Sequence, residues 1–329
     1  MVATLKDVAE FAGVSVKSVS NVVNGYPYVS DELRRRVQAA VDELGYRPNL
    51  AARNLRAGRT GLLALVVPGF DVPRFDELAR EVVASAERRG YRVVIEHSRR
   101  VAAGDARPVP VDGVLLAADV APPGLIDGQS TGPPLVLLGG APGGRCDRVA
   151  IDHARAAEDA SAHLLHTGRR RIAAIGVRPR RSPAAAQRYT IGYRRALRRA
   201  GLAPPSGYLQ PALPHRRAEG YQAARTLLAH EQRPDALLCY SDLLAIGALR
   251  AAVDAGLRVP QDVAVIGIGD SEEGRYARPT LSTVSADTAF IAREAVDRII
   301  SRIARRDAGP ARVVAPHTVV PRESTAPAG

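Results

Sequence analysis

Over the first forty-five residues, apolar positions recur every three or four places in three short runs separated by turn signals. Leu5, Val8, Ala9 and Ala12 share one face of a predicted helix that starts after Thr4 and stops at Gly13. Thr4 with Asp7 three residues on is a close variant of the capping box, and it sets a carboxylate at the positive end of the helix dipole. Ser15 is positioned to cap a second helix, with Val19, Val22 and Val23 inward and the turn signal Asn24-Gly25 at its close. A third helix is expected from Ser30, with Asp31 and Glu32 in its first turn, Leu33, Val37, Ala40, Val41 and Leu44 as its inner stripe, and Gly45 as its stop.

Beyond Gly61 the pattern changes. GLLALVVP at 61–68 is a continuous apolar run, and YRVVIEHS, VDGVLLAA, PPLVLLG, RVAID, RRIAAIGV, DALLCYS and DVAVIGIG repeat it. Amphipathic segments at 77–89, 154–166, 188–200, 220–229 and 288–304 fall between them, and RVVAPHTVVPRE supplies a last strand or pair. Short apolar runs alternating with helical segments predict an α/β body with a parallel sheet covered on its faces. The link RRVAAGDARPVP at 99–110 is too short and too broken by Gly104, Pro108 and Pro110 for a full crossover helix, so one sheet face is expected to be more exposed.

Composition adds three points. With no Trp and only four Phe, the core must be built from Val, Leu, Ile and Ala. The net charge of +12 favours a polyanionic partner, yet residues 1–60 hold nine Lys/Arg against six Asp/Glu, a local excess of +3, so pattern rather than charge carries the case. Cys146 and Cys239 lie far apart without metal-ligand spacing and are expected to be free thiols in a reducing compartment, with no metal site and no cofactor. Lys6, Asp7 and Glu10 break the apolar run that a signal peptide needs, and no stretch approaches a membrane span; a cytoplasmic or nucleoid-associated protein is expected.

The second helix leaves Val16, Lys17, Ser18, Ser20 and Asn21 facing outward near its start, which is how a helix-turn-helix presents side chains to a major groove. Ser and Asn can hydrogen-bond base edges or phosphates, Val16 can meet a thymine methyl, and Lys17 can donate to guanine. From Arg47 to Thr60 the chain is basic, with Arg53, Arg56 and Arg59 and no acidic residue. Ala51, Ala52 and Leu55 would form one side of a two-turn helix, shorter than the ~12 residues that stand alone in water. Such a segment is expected to order on DNA as a pair over a minor groove, with Leu55 as a wedge. Thr4, Ser15, Asn24, Tyr46, Asn49, Ala52, Arg53, Leu55 and Arg56 complete the candidate DNA contacts.

TLKDVAEFAGVSVKSVSNVVNG, VSDELRRRVQAAVDELGYRPN and AARNLRAGRTGLLALVVP resemble the lactose/galactose repressor (LacI/GalR) family of bacterial transcription regulators. The likeness continues through VAIDH, GRRRIAAIG, RYTIGYRRALRRAGL, PDALLCYSDLLAIGALRAAVDAGLRVPQDVAVIGIGD, PTLSTV and PRES. The resemblance implies a helix-turn-helix headpiece at 1–46, a hinge helix and linker at 47–60, and a periplasmic-binding-protein-like body of two Rossmann-like subdomains, 61–152 plus 281–312 and 153–280 plus 313–325. It also implies a homodimeric repressor on near-palindromic double-stranded operator DNA under control of a small-molecule effector, without a membrane partner. Many members carry arginine where this chain has Asn21.

Ligands of open α/β sheets sit beyond the carboxyl ends of the strands. Those ends offer Phe70, Asp71, Phe75, His97, Arg188, Ser241, Asp242 and Asp270 as candidate effector contacts. Resemblance places the matches of Arg188 and Asp242 in the cleft, and an acidic residue where this chain has Gly269. That substitution leaves open a different sugar pose, a non-sugar effector, or a closed body with none. An enzyme fused to a DNA module would need a nucleophile elbow, a paired carboxylate or a dinucleotide loop, and none occurs in the sequence. An exported solute receptor would leave residues 1–60 without a purpose.

Overall fold

The computed structural model describes residues 3–23, 26–46, 59–69, 73–97, 109–117, 132–139, 146–178, 187–305 and 309–326. The chain divides into a unit ending at Gly61 and a body from Leu62.

The first unit holds α1 (Leu5–Ala12), α2 (Val16–Val23) and α3 (Asp31–Glu43). Thr4 caps α1 and the Asp7 carboxylate bonds back to the Thr4 amide at 2.7 Å, a complete capping box. Gly13 leaves the helix at φ 61, the left-handed conformation that glycine adopts without strain. Ser15 Oγ accepts from the Ser18 amide at 3.1 Å, and Ser30 caps α3. Val8, Val19 and Val37, one from each helix, are fully buried at the centre of the core, with Ala9, Ala12, Val22, Ala40 and Tyr46 around them. Each buried valine contributes about 1.5–3 kcal/mol, so three of them hold together helices too short to stand alone.

In the body, the first sheet has the order β11-β5-β4-β3-β1-β2 and is parallel throughout, from β1 (Leu62–Val67), β2 (Arg92–His97), β3 (Gly113–Ala117), β4 (Leu135–Leu138), β5 (Asp147–Ile151) and β11 (Arg312–Ala315). The second has the order β12-β10-β9-β8-β6-β7, from β6 (Ile172–Val177), β7 (Leu209–Pro211), β8 (Ala236–Cys239), β9 (Ala264–Ile268), β10 (Ser282–Ala286) and β12 (His317–Val320). Only its edge pair β10–β12 is antiparallel.

The period of two along each strand explains the runs of apolar sequence. Leu237, Cys239 and Val265 face one helical layer, while Ala236, Leu238, Ala264 and Ile266 face the other. The first layer is α7 (Arg217–Leu228) and α8 (Asp242–Asp254); the second is α5 (His153–His166) and α6 (Arg188–Arg199). α7 and α8 touch backbone to backbone: a Cβ on Gly220 would fall 2.2 Å from the Leu244 carbonyl oxygen, and one on Gly247 2.0 Å from that of Arg217. A short α9 (Glu272–Arg275) follows β9. On the first sheet, α4 (Pro73–Glu87) and α10 (Thr288–Ala304) cover Leu63, Leu65, Leu115 and Val136.

The opposite face of that sheet buries Ala64, Val66, Val114, Leu116 and Leu137. The 99–110 link, from which greater exposure of one sheet face was expected, lies up to residue 108 outside the described residues.

Two chain crossings fall later than expected. β10 hydrogen-bonds to β9 and β12, so the chain stays in the second sheet through Ala286 rather than leaving near 280. β11 pairs with β5, with Arg312 opposite Arg148, so the return comes at Pro316 rather than near 313. Pro316, which has no amide hydrogen for a ladder, splits RVVAPHTVV into two four-residue strands that belong to different sheets.

Candidate functional site

On the headpiece, helix polarity and burial divide α2 cleanly. Val19 and Val22 point into the core, which turns Val16 and Lys17 outward on its first turn; Val16 is 47% exposed although aliphatic. Ser18, Ser20 and Asn21 are half-buried beside them. Thr4 and Ser15 spend their hydroxyl groups on capping, and Ser15 Oγ also lies 2.9 Å from Ser18 Oγ. Tyr46 is only 7% exposed and packs in the helical core. Asn24, Asn49, Ala52, Arg53, Leu55 and Arg56, and with the last five the whole expected hinge helix, lie outside the described residues.

One feature of this surface was missed in the sequence. Tyr26 and Tyr28, 52% and 88% exposed, meet edge to face with centroids 5.9 Å apart in the connection from α2 to α3. The signal was present as two aromatics flanking Pro27 in the link between the helices.

In the body, a cavity of about 120 Å³ opens between the two sheets at the carboxyl ends of their strands. Leu138, Gly139, Val149, Ala150 and Ile151 come from the first sheet, and Ile268, Gly269, Val284 and Ala286 from the second. Phe75 and Leu78 of α4, Thr288 and Ile291 of α10, His153 and Tyr189 complete it. Among the described residues the lining contains no carboxylate and no guanidinium. Its described polar side chains are His153, Tyr189 and Thr288, and two of these belong to a run of ring contacts: His153 edge-on to Tyr189 at 4.9 Å, and Tyr189 tilted against Tyr240 at 5.1 Å. Tyr240 is itself buried and donates to Thr190 Oγ1 at 3.0 Å.

Of the described candidate effector contacts, Phe75 alone lines this cavity; Phe70 and Asp71 lie outside the described residues. His97 ends β2 and pairs in register with Val67. Arg188 stands at the start of α6 and faces Asp152 at 3.7 Å, while the next residue, Tyr189, takes the place in the wall. Near the Gly139 end, Arg148 donates to the Gly139 carbonyl at 2.9 Å. Burial, with Arg188 and Arg312 nearby, lowers its pKa below the ordinary arginine value.

Ser241, Asp242 and Asp270 are engaged in holding the second sheet together. Ser241 Oγ caps α8 through the Leu244 amide at 3.3 Å. Asp242, 3% exposed, accepts from Thr283 Oγ1 at 2.7 Å and from the Ser271 amide at 2.6 Å, which ties α8 to β10 and to the loop after β9. Burial pushes its carboxyl above the ordinary carboxylate range, against the opposing pull of those hydrogen bonds. Asp270 adopts φ 52 and turns to Arg322 at 2.5 Å and Arg275 at 3.0 Å. Burial raises its pKa, but the two guanidinium partners prevail and hold it below the usual value. Gly269 has φ 140, a conformation that side-chain-bearing residues rarely adopt, and a Cβ there would lie 3.6 Å from Asp242 Oδ2.

Among the described residues no group of His, Cys, Asp and Glu is arranged to hold a metal ion, and no helix is long and apolar enough to cross a membrane. Cys239 is fully buried, and burial pushes its thiol far up.

These two surfaces match known families. Residues 4–49 fit the model of the bacterial regulatory proteins of the lacI family, and residues 161–325 that of the periplasmic binding protein-like domain. The ribose operon repressor of Escherichia coli (strain K12) is 33% identical over 314 residues, 92% of this chain and 93% of that protein. The HTH-type transcriptional repressor PurR of Pectobacterium atrosepticum is 32% identical over 343 residues, 98% of this chain and 97% of its own. The solved complex of the transcriptional regulator CelR with cellobiose aligns with 32% identity and a TM-score of 0.70, covering 98% of this chain and 99% of that one. The headpiece, the two-sheet body and relatedness along nearly the whole length lead to one assignment: the chain belongs to the LacI family of bacterial regulatory proteins.

Proposed function

We propose that this protein is a homodimeric DNA-binding transcriptional repressor in the bacterial cytoplasm, which reads a near-palindromic operator with paired copies of α2 and answers to a small molecule held between the two sheets of its body. The observation that carries the reading is the outward first turn of α2, where an exposed valine and lysine stand on a helix whose other face is locked into the core. An apolar residue held in water next to a cation suits a major groove, where a thymine methyl and a guanine edge lie side by side. A two-fold dimer implies two half-sites in inverted order. The cavity supports the second half of the reading, because it is formed jointly by both sheets and changes shape whenever one moves against the other. Lys17, Val16, Ser18, Ser20 and Asn21 are assigned to base and phosphate contacts, and Phe75, His153 and Tyr189 to the effector.

Selection of bound duplexes from a random pool tests the DNA half. The expected product is an inverted repeat whose two halves are read equally; a pool with no enriched sequence, or a single asymmetric motif, overturns it. The effector half is tested by reciprocity: a ligand that changes operator affinity must have its own affinity changed by operator in the same ratio.

A further inference from the structure

We infer that the cavity between the sheets is built for a ligand with one flat, largely apolar ring and one or two hydrogen-bonding groups, rather than for a polyhydroxylated sugar. The inference rests on the effector reading above and names the ligand class of the same site.

Size is the first argument. A cavity of about 120 Å³ is close to the ~150 Å³ apolar cavity known to take up a benzene ring. It suits a single ring and is small for two linked sugar rings.

The wall chemistry is the second. Leu78, Leu138, Val149, Ile151, Ile268 and Ile291 supply aliphatic surface on several sides. A sugar brings a hydroxyl on nearly every carbon, and each needs a partner once water is excluded. Among the described residues the side-chain partners are His153, Tyr189 and Thr288, with no charged fork to take a pair of vicinal hydroxyls. His153 and Tyr189, which meet edge to face with Tyr240 tilted against Tyr189 behind them, give the wall an aromatic corner against which a further ring could pack.

The third argument is that Asp242 and Asp270, the described acidic groups on either side of Gly269, are turned away. Asp242 spends both carboxylate oxygens on Thr283 and Ser271, and Asp270 spends its own on Arg322 and Arg275. With Gly269 at φ 140, the backbone between them presents no side chain to the cavity.

The experiment is scanning calorimetry of the full-length protein with phenol and indole as ring probes and with D-ribose and cellobiose as sugar probes, alongside operator titrations. At about a hundredfold excess over Kd a ring probe is expected to raise the body's melting midpoint by roughly 5 °C, while the sugars leave it in place. Ala286→Phe, which fills the cavity from β10, is expected to abolish the rise; should that variant fail to fold, Ala286→Leu is expected to weaken it at least tenfold in Kd. Binding of either sugar, no response to either ring, or full ring binding in both filling variants overturns the inference. Ring binding blocked by Ala286→Phe with operator affinity unmoved would leave the ligand class standing and remove the effector reading. A sugar that shifts both midpoint and operator affinity would do the reverse.

Discussion

Asp242 offers the sharpest test of how the cleft is built, because its position in the sequence suggests a ligand contact and its surroundings show a brace. Replacing it with alanine removes two hydrogen bonds to a buried carboxylate and leaves the Thr283 hydroxyl and the Ser271 amide without it. At about 1.5–3 kcal/mol for each such bond, the cost is about 3–6 kcal/mol, or a fall of roughly 10 °C in the melting midpoint of a body this size. Asparagine keeps one acceptor for Ser271 and turns its amide toward Thr283, so Asp242→Asn is expected to cost only about 1 kcal/mol.

The two variants also differ in pH response. Because burial raises the folded pKa above the unfolded value, the protonated carboxyl's contribution is full below the unfolded pKa and is lost as pH rises through the folded one. Asparagine does not ionise, so its deficit against wild type should be largest near pH 4 and shrink toward neutrality. Calorimetry between about pH 4 and 8 reads both effects. The reasoning fails if Asp242→Ala melts within about 1 °C of wild type, and a variant that loses only its ligand response would restore Asp242 to the list of effector contacts.

Other expectations can be checked with the same instruments. Gly247→Ala drives a methyl group to within 2.0 Å of the Arg217 carbonyl oxygen, so α7 and α8 must part; loss of more than about 3 kcal/mol or of soluble protein is expected, and a melt equal to wild type would refute the close approach. Arg322→Met removes a partner that holds the Asp270 carboxyl below its usual pKa. That stabilisation is present above the unfolded carboxylate pKa and disappears as pH falls through the folded one, so the gap from wild type should close in acid. Lys17→Ala is expected to flatten preference among operator variants by tenfold or more while weakening binding to random duplex little, as competition titrations would show. Replacing residues 49–57 with a glycine-serine tether is expected to weaken operator binding at least tenfold; unchanged affinity would show that the segment only connects.

The helical headpiece was legible almost residue by residue, because caps and inward stripes are local signals: Thr4, Asp7, Gly13, Ser15 and Ser30 do what their neighbours in sequence imply. Most of the strands were equally plain, since burial on both faces turns stretches such as LLALVV and AVIGI into unbroken apolar runs, whereas β7 (LQP) and β10 (STVSA) carry no such run and were not expected. What the sequence hid was allegiance. Nothing within PTLSTV states which sheet takes Ser282–Ala286; pairing with β9 and β12 decides it. The site was legible by location and less so by residue. Charged groups at strand ends drew attention to Arg188 and Asp270, yet partners distant in sequence, Arg322 among them, had already claimed that charge, and the adjoining Tyr189 and Gly269 form the wall. Side-chain commitments of this kind depend on the folded neighbourhood and leave no periodic trace.

The three passages of the chain between its sheets lie at Asp152, Asp287 and Pro316, and they are not independent cords. Asp152 and Asp287 each open a helix by capping it, and the Asp287 amide donates to the Pro316 carbonyl at 3.1 Å. A chimaera that borrows one half from a relative therefore needs three splices, and a single junction anywhere in 281–315 would strand either α10 or β12 beside a foreign sheet.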